Sequence, residues 1–322
     1  MSQTLRALPV GMFGAVMGIA GLGLALRPAV ALFRLPSWVS EFWVFAAAAA
    51  LALLLAGYVL KLLRHADAVV EDFANPASLG FCAALPVGMT LVAGGLQPYA
   101  LGPARALWFA GAALLVLMQV FALARWLRGG LELGQVNGGW MILFVGGLVL
   151  PSSGLPLGFT QPSAWFFGIS TVAAPFVMGA VLFRTLFGPA LPAGLRPSTF
   201  ILLVPSALIF ANGLALGLTR SPLIDGLFFV SLPLAAALLL SARNFLSWPF
   251  GASWWAFTFP LDALAVAAVR FAQLQPTPAA RVLAAATLIL ATLIVALVLV
   301  RTLLAFLGGT LFVPPAPPPA KP

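Results

Sequence analysis

Ten apolar runs of roughly 20 residues follow one another along this chain, joined by short connections. A run of that length crosses a bilayer as one α-helix. Its continuity, with no alternation of apolar and polar residues, argues against a membrane β-barrel. The runs fall at about 8–26, 42–63, 77–97, 104–126, 137–155, 164–187, 198–218, 222–242, 253–273 and 280–307. Only 7% of residues are charged, against about 25% in a soluble domain. The expected fold is therefore an all-α membrane protein of ten helices, in one domain over residues 1–312 with no soluble catalytic module. A proline-rich tail, 313–322, is expected to be disordered. The first run follows Arg6 directly and is long enough to span, so it is expected to stay as a helix and not be cleaved as a signal.

The runs are of two kinds. Odd-numbered ones carry helix-disturbing residues: Gly11, Gly14, Gly18, Gly21 and Gly23 in the first, Pro86 and Gly88 in the third, and Gly146, Gly147 and Pro151 in the fifth. Pro205 and Gly213 follow in the seventh and Pro260 in the ninth. The second, fourth and tenth are smooth Leu/Ala/Val helices, while Pro175 and Pro233 in the sixth and eighth weaken the contrast. Disturbed backbone at membrane depth is tolerated where protein or a water-filled cavity satisfies the freed groups. The recurrence of Pro86, Gly146, Pro205 and Pro260 about every 60 residues suggests a repeated two-helix unit. Its simplest packing is an inner ring of five odd helices and an outer ring of five even ones. The plainer alternative is that Gly and Pro are common in membrane helices generally.

Within the ninth run, Ser253-Trp254-Trp255-Ala256-Phe257-Thr258-Phe259-Pro260-Leu261-Asp262 concentrates rings, a proline and an acid. Such a stretch is expected to face the protein interior, with Phe259 pointing into the path as an apolar gate and Phe257 beside it on the lining. Gly14, Gly18, Pro86, Gly146, Pro205 and Pro260 are the other expected pore-lining or kink positions. Asp262 lies three residues beyond Phe259, nearly on its face, and Arg270 about 12 Å further along the axis. Two roles stay open for Asp262: an anchor paired with an arginine or a neighbouring helix, or a proton or substrate site. Asn137, Ser152, Ser153, Thr171 and Asn212 are expected to hydrogen-bond between helices. Asp67, Glu71 and Asp72, near Lys61, Arg64 and His65, read as a solvated loop.

Cys82 and His65 are the only residues of their kinds, which excludes an intrachain disulfide and a His/Cys metal site. No phosphate-binding glycine loop, catalytic carboxylate pair or nucleophile–base set appears, so neither an enzyme nor a cofactor is expected. The net charge of +9 comes from single basic residues at run ends. They serve as interfacial anchors and topology signals, and they would also attract anions to pore mouths. Nucleic acid is not an expected partner. About ten Lys and Arg residues fall on the N-terminal side and six on the other, which places both termini in the cytoplasm.

Three stretches resemble one known family, the TehA and slow-type anion channel family grouped with malic-acid (dicarboxylate) transporters. They are Leu8-Pro9-Val10-Gly11-Met12-Phe13-Gly14 continuing to Gly18-Ile19-Ala20-Gly21-Leu22, Asn75-Pro76 leading to Leu85-Pro86, and Trp254 to Pro260. The resemblance implies five helical hairpins with a pore lined by the odd helices, a homotrimer with one pore per subunit, and a gate at Phe259. It implies passage of small inorganic or carboxylate anions across a lipid bilayer, here a bacterial inner membrane. The chain departs from the pattern at Gly138-Gly139 and Gly146-Gly147, where an early proline is expected, and at Asp262, where a small neutral residue is expected. The alternative function is a proton-coupled carrier of dicarboxylates or tellurite-like oxyanions, with Asp262 as its titrating group. No long cytoplasmic extension is seen, so plant-type regulation by terminal phosphorylation is not expected.

Overall fold

Proline and glycine in the odd runs do not merely bend helices; they mark where each helix changes type. The computed structural model describes residues 5–312, so the expected disordered tail at 313–322 lies outside the described residues. The first segment opens as a 3-10 turn, Val10–Phe13, and becomes α-helical at Gly14. The seventh changes from 3-10 (Arg196–Leu203) to α at Val204, and the ninth from 3-10 (Ala252–Phe257) to α at Thr258. The third breaks at Ala83, between Pro76–Cys82 and Ala84–Leu96. The fifth passes from Gly139–Val145 through a 3-10 turn at Gly146–Val149 to Leu150–Gly154. Pro86, Pro151, Pro205 and Pro260 each fall in the first turn of the α-helix that follows the break. There the missing N–H costs nothing, because no intrahelical acceptor precedes it. Pro28, Pro175 and Pro233 instead lie inside continuous helices.

Among the described residues, nine helices are long and apolar enough to cross a membrane: Val10–Phe33, Trp38–Arg64, Pro76–Leu96, Leu101–Trp126, Thr160–Phe187, Arg196–Ala215, Pro222–Ser241, Ala252–Leu274 and Pro278–Leu307. The fifth of the ten expected runs is a shorter apolar stretch, Gly139–Gly154. The chain is an all-helical membrane protein. In the most apolar window of each long odd segment, 61–78% of residues are buried, against 22–33% in the even ones. In the fifth, all but Phe144 and Ser152 are buried. Contacts close the inner ring in the order first, third, fifth, seventh, ninth and back to the first, and each even segment packs on the odd one before it. The odd segments all begin at one end of the ring, called here the near side, and finish at the far side.

Small residues set how closely the ring packs. A Cβ built on Gly18 would stand 2.0 Å from Thr258 Oγ1 and 2.7 Å from Thr258 Cβ, so the first and ninth segments meet with no room for a methyl group. Gly18→Ala is expected to destabilise the fold by about 1–3 kcal/mol through overpacking. A lowered apparent melting temperature in detergent checks this, and an unchanged one would remove Gly18 from the packing argument.

The stretch expected as a solvated loop differs. Ala66–Ala74 is a helix with Ala68 and Val69 buried and Asp67 and Glu71 outward. Asp67 and Glu71 face Arg6, at 2.6 and 3.7 Å. Lys61 is only 2% exposed: its Nζ donates to Asp72 Oδ2 at 2.7 Å and to the Leu8 carbonyl at 2.9 Å, and the Tyr58 hydroxyl donates to the same Asp72 oxygen at 2.8 Å. The Arg125 guanidinium donates to the carbonyls of Phe73 and Ala74, which have no acceptor role left within their own helix. Two spans and the N-terminal approach are thus tied to this short helix at the near side.

Candidate functional site

The switch from 3-10 to α-helix at Thr258 decides which rings of the ninth segment face inward. At 100–120° per residue, positions two apart point to nearly opposite sides. Phe259 and Phe257 accordingly separate. Phe257 lies among Phe200, Phe245, Trp248 and Trp254, with ring centroids 4.8–6.1 Å away. The expectation that Phe257 lines the pore is therefore corrected: it is part of the wall that holds the 3-10 turn. Phe259 turns to the ring interior and remains 8% exposed.

Two cavities occupy the centre of the ring. The near cavity, about 210 Å³, is lined by residues at the starts of the odd segments, among them Gly14, Ser78, Met141, Gly146 and Pro260, with Asp72 at its edge. The far cavity, about 280 Å³, is lined toward their ends by Gly21, Leu91, Asn212, Asp262 and Arg270, with Arg27 beside them. Two residues line both: Phe259 and Val149. They stand between the cavities, one from the ninth segment and one from the 3-10 turn of the fifth. Among the expected pore-lining or kink residues, Gly14, Gly146 and Pro260 line the near cavity. Gly18, Pro86 and Pro205 line neither cavity; Gly18 is taken up by Thr258, and the two prolines begin α-helices in the wall.

Behind Phe259 the first segment presents Gly21. A Cβ there would be 2.9 Å from Phe259 Cδ2 and 2.8 Å from Asp262 Oδ2. This glycine lets the ring and the carboxyl lie flat against the helix. The glycine pattern of the first run pointed to close packing but not to what packs there, since that depends on the rotation of the ninth segment.

The far cavity holds most of the polar groups. Ser152 Oγ donates to Asn212 Oδ1 at 2.9 Å, and Asn212 Nδ2 donates to the Leu148 carbonyl at 2.7 Å, bracing the turn that carries Val149. Asn137 and Ser153 also bond between segments, to the Ala77 carbonyl and from Trp108 Nε1, whereas the Thr171 hydroxyl is buried with no partner among the described residues. Arg27 is fully engaged: its guanidinium donates to both Glu41 oxygens at 2.8–3.0 Å and to the carbonyls of Gly94 and Gly95. Tyr99 donates to the same Glu41 at 2.9 Å, and this bond holds its phenol protonated above the usual range. Arg220 pairs with Asp225 at 2.8 Å. Of the mouth arginines that line the far cavity, Arg270 alone lacks an acidic partner among the described residues.

Asp262 is 0% exposed, and neither carboxyl oxygen has a hydrogen-bond partner among the described residues. An ion pair with Arg270, one of the roles left open for Asp262, is not formed among the described residues. Eight residues of helix separate the two by about two turns, beyond the reach of a salt bridge. Among the described residues no group of three or more His, Cys, Asp or Glu side chains could hold a metal.

Comparison with known proteins follows the whole ring. The family model described as "SLAC1: Voltage-dependent anion channel" matches residues 7–303. The Arabidopsis thaliana protein named "Guard cell S-type anion channel SLAC1" is 27% identical over 334 residues, covering 96% of this chain and 58% of its own length. The "S-type anion channel SLAH3" of the same plant is 24% identical over 278 residues, covering 83% of this chain and 44% of its own length. The chain thus spans about half the length of these relatives.

Proposed function

We propose that this chain, which belongs to the SLAC1 voltage-dependent anion channel family, is an anion-selective pore held closed by Phe259. The observation that carries this reading is the position of Phe259, which together with Val149 divides one axial path into two cavities. An apolar ring in a narrow passage excludes water, and a dewetted passage is closed to ions. The near cavity is largely apolar, so it offers an anion no deep binding well from which escape would be slow. Arg270 gives the far side a positive charge facing the path, which raises the local concentration of anions. The names of the plant relatives, both S-type anion channels, favour the same class of ion. The permeant class is small inorganic or carboxylate anions, chloride, nitrate and malate being the probes. The near side is assigned to the cytoplasm by the Lys and Arg distribution, in a bacterial inner membrane, and the assembly to a homotrimer by family resemblance.

The test is the reversal potential of current through Phe259→Ala channels in a planar bilayer under a potassium chloride gradient. Reversal near the chloride equilibrium potential is expected. Reversal near the potassium potential would overturn anion selectivity, and anion movement only when a proton gradient is imposed would replace the channel with a carrier.

A further inference from the structure

Asp262 has no role in the closed gate, yet it occupies the far cavity directly beside the gate, without a partner among the described residues and shielded from water. We infer that Asp262 is a proton-operated charge barrier in the anion path: the pore passes anions when this carboxyl holds a proton and rejects them when it is ionised. The inference rests on the anion-pore reading above.

The geometry supports it in three ways. Asp262 follows Phe259 by three residues on one helix, so an anion leaving the ring meets the carboxyl next. An ionised carboxylate there repels an anion at short range, in surroundings too dry to screen the charge. A protonated one removes that charge and supplies an O–H donor, the group a small anion needs in exchange for lost water. Gly21 leaves room for the carboxyl, whose Oδ2 would stand only 2.8 Å from a Cβ at that position.

The surrounding elements leave the charge uncompensated. The first segment contributes Arg27 to the cavity, already committed to Glu41. The ninth contributes Arg270, two turns away. The third contributes only uncharged residues, Leu91 and Gly94, and the fifth and seventh give Ser152 and Asn212, which bond to each other. The tenth segment packs behind the ninth and contributes no residue to the cavity; its Arg301 lies over the Trp254 ring. The Asp225 carboxylate of the eighth segment is held by Arg220.

The experiment compares chloride flux from pH 5 to pH 8 in proteoliposomes carrying Phe259→Ala alone or with Asp262→Asn. The single variant is expected to lose flux about tenfold or more as pH rises. The double variant should stay high and flat. An equal pH dependence in both, or none in the single variant, would overturn the inference. A second measurement is independent of flux: infrared difference spectra across the same pH range, with Asp262→Asn identifying the protonated-carboxyl C=O band of Asp262. A band that rises as pH falls shows that Asp262 takes up the proton the inference requires; if Phe259→Ala then passes no ion, it is the pore reading that fails. No Asp262 band at any pH means a permanently ionised group and overturns the inference.

Discussion

Replacing Phe259 with alanine is expected to raise anion flux on the order of 10- to 100-fold, the response to lowering the barrier by about 1.4–2.8 kcal/mol. The ring is the larger of the two side chains shared by the near and far cavities, and truncating it joins spaces of about 210 and 280 Å³. Moving an ion through a dry constriction costs several kcal/mol, so widening it enough to admit water removes a large part of the barrier. Phe259→Leu, still apolar but smaller, should give an intermediate rise. Stopped-flow anion flux in proteoliposomes with matched protein content reads the series. A well-folded Phe259→Ala variant with wild-type flux would show that the barrier lies elsewhere, with Val149 the next residue to truncate.

The second large effect concerns stability. Asp72→Ala is expected to destabilise the protein by roughly 3 kcal/mol, the lower end of the range for breaking a buried ion pair. The lower end applies because the Asp72 side chain keeps 20% exposure while Lys61 keeps 2%. Truncation leaves the Lys61 ammonium with the Leu8 carbonyl and removes the acceptor of the Tyr58 hydroxyl. The apparent melting temperature in detergent should fall by about 5–10 °C. Replacing both charges, Lys61→Met with Asp72→Leu, should recover most of the loss because no buried charge is then left alone. A double variant no more stable than Asp72→Ala would place the cost in packing instead of the pair.

The membrane fold is legible in the sequence because it depends on run length and on where helix-disturbing residues fall, both one-dimensional properties. The breaks at Gly14, Gly146 and the residues just before Pro205 and Pro260 coincide with positions picked out by residue type alone. What escapes a linear reading is rotation about the helix axis and partners distant in sequence. Phe257 and Phe259 look equivalent in the string, yet the 3-10 turn sends them to opposite sides. Gly21 and Val149 acquire their roles only from residues 241 and 110 positions away, Asp262 and Phe259 respectively, through the packing of the ring. Lys61 reads as an interfacial anchor, but the short helix Ala66–Ala74 folds back and encloses it.

The two cavities have an electrical consequence. When both hold electrolyte, they act as extensions of the two bulk solutions, and the membrane potential falls mainly across the dry partition at Phe259 and Val149. A drop that would otherwise extend over about 30 Å of hydrocarbon is then compressed to a few ångströms. A unit charge crossing that partition experiences nearly the full work of about 2.3 kcal/mol per 100 mV. The Phe259 ring is uncharged and does not itself respond to this field, but an anion passing beside it crosses the steepest part of the drop, while Asp262 lies on the far-cavity side of the partition.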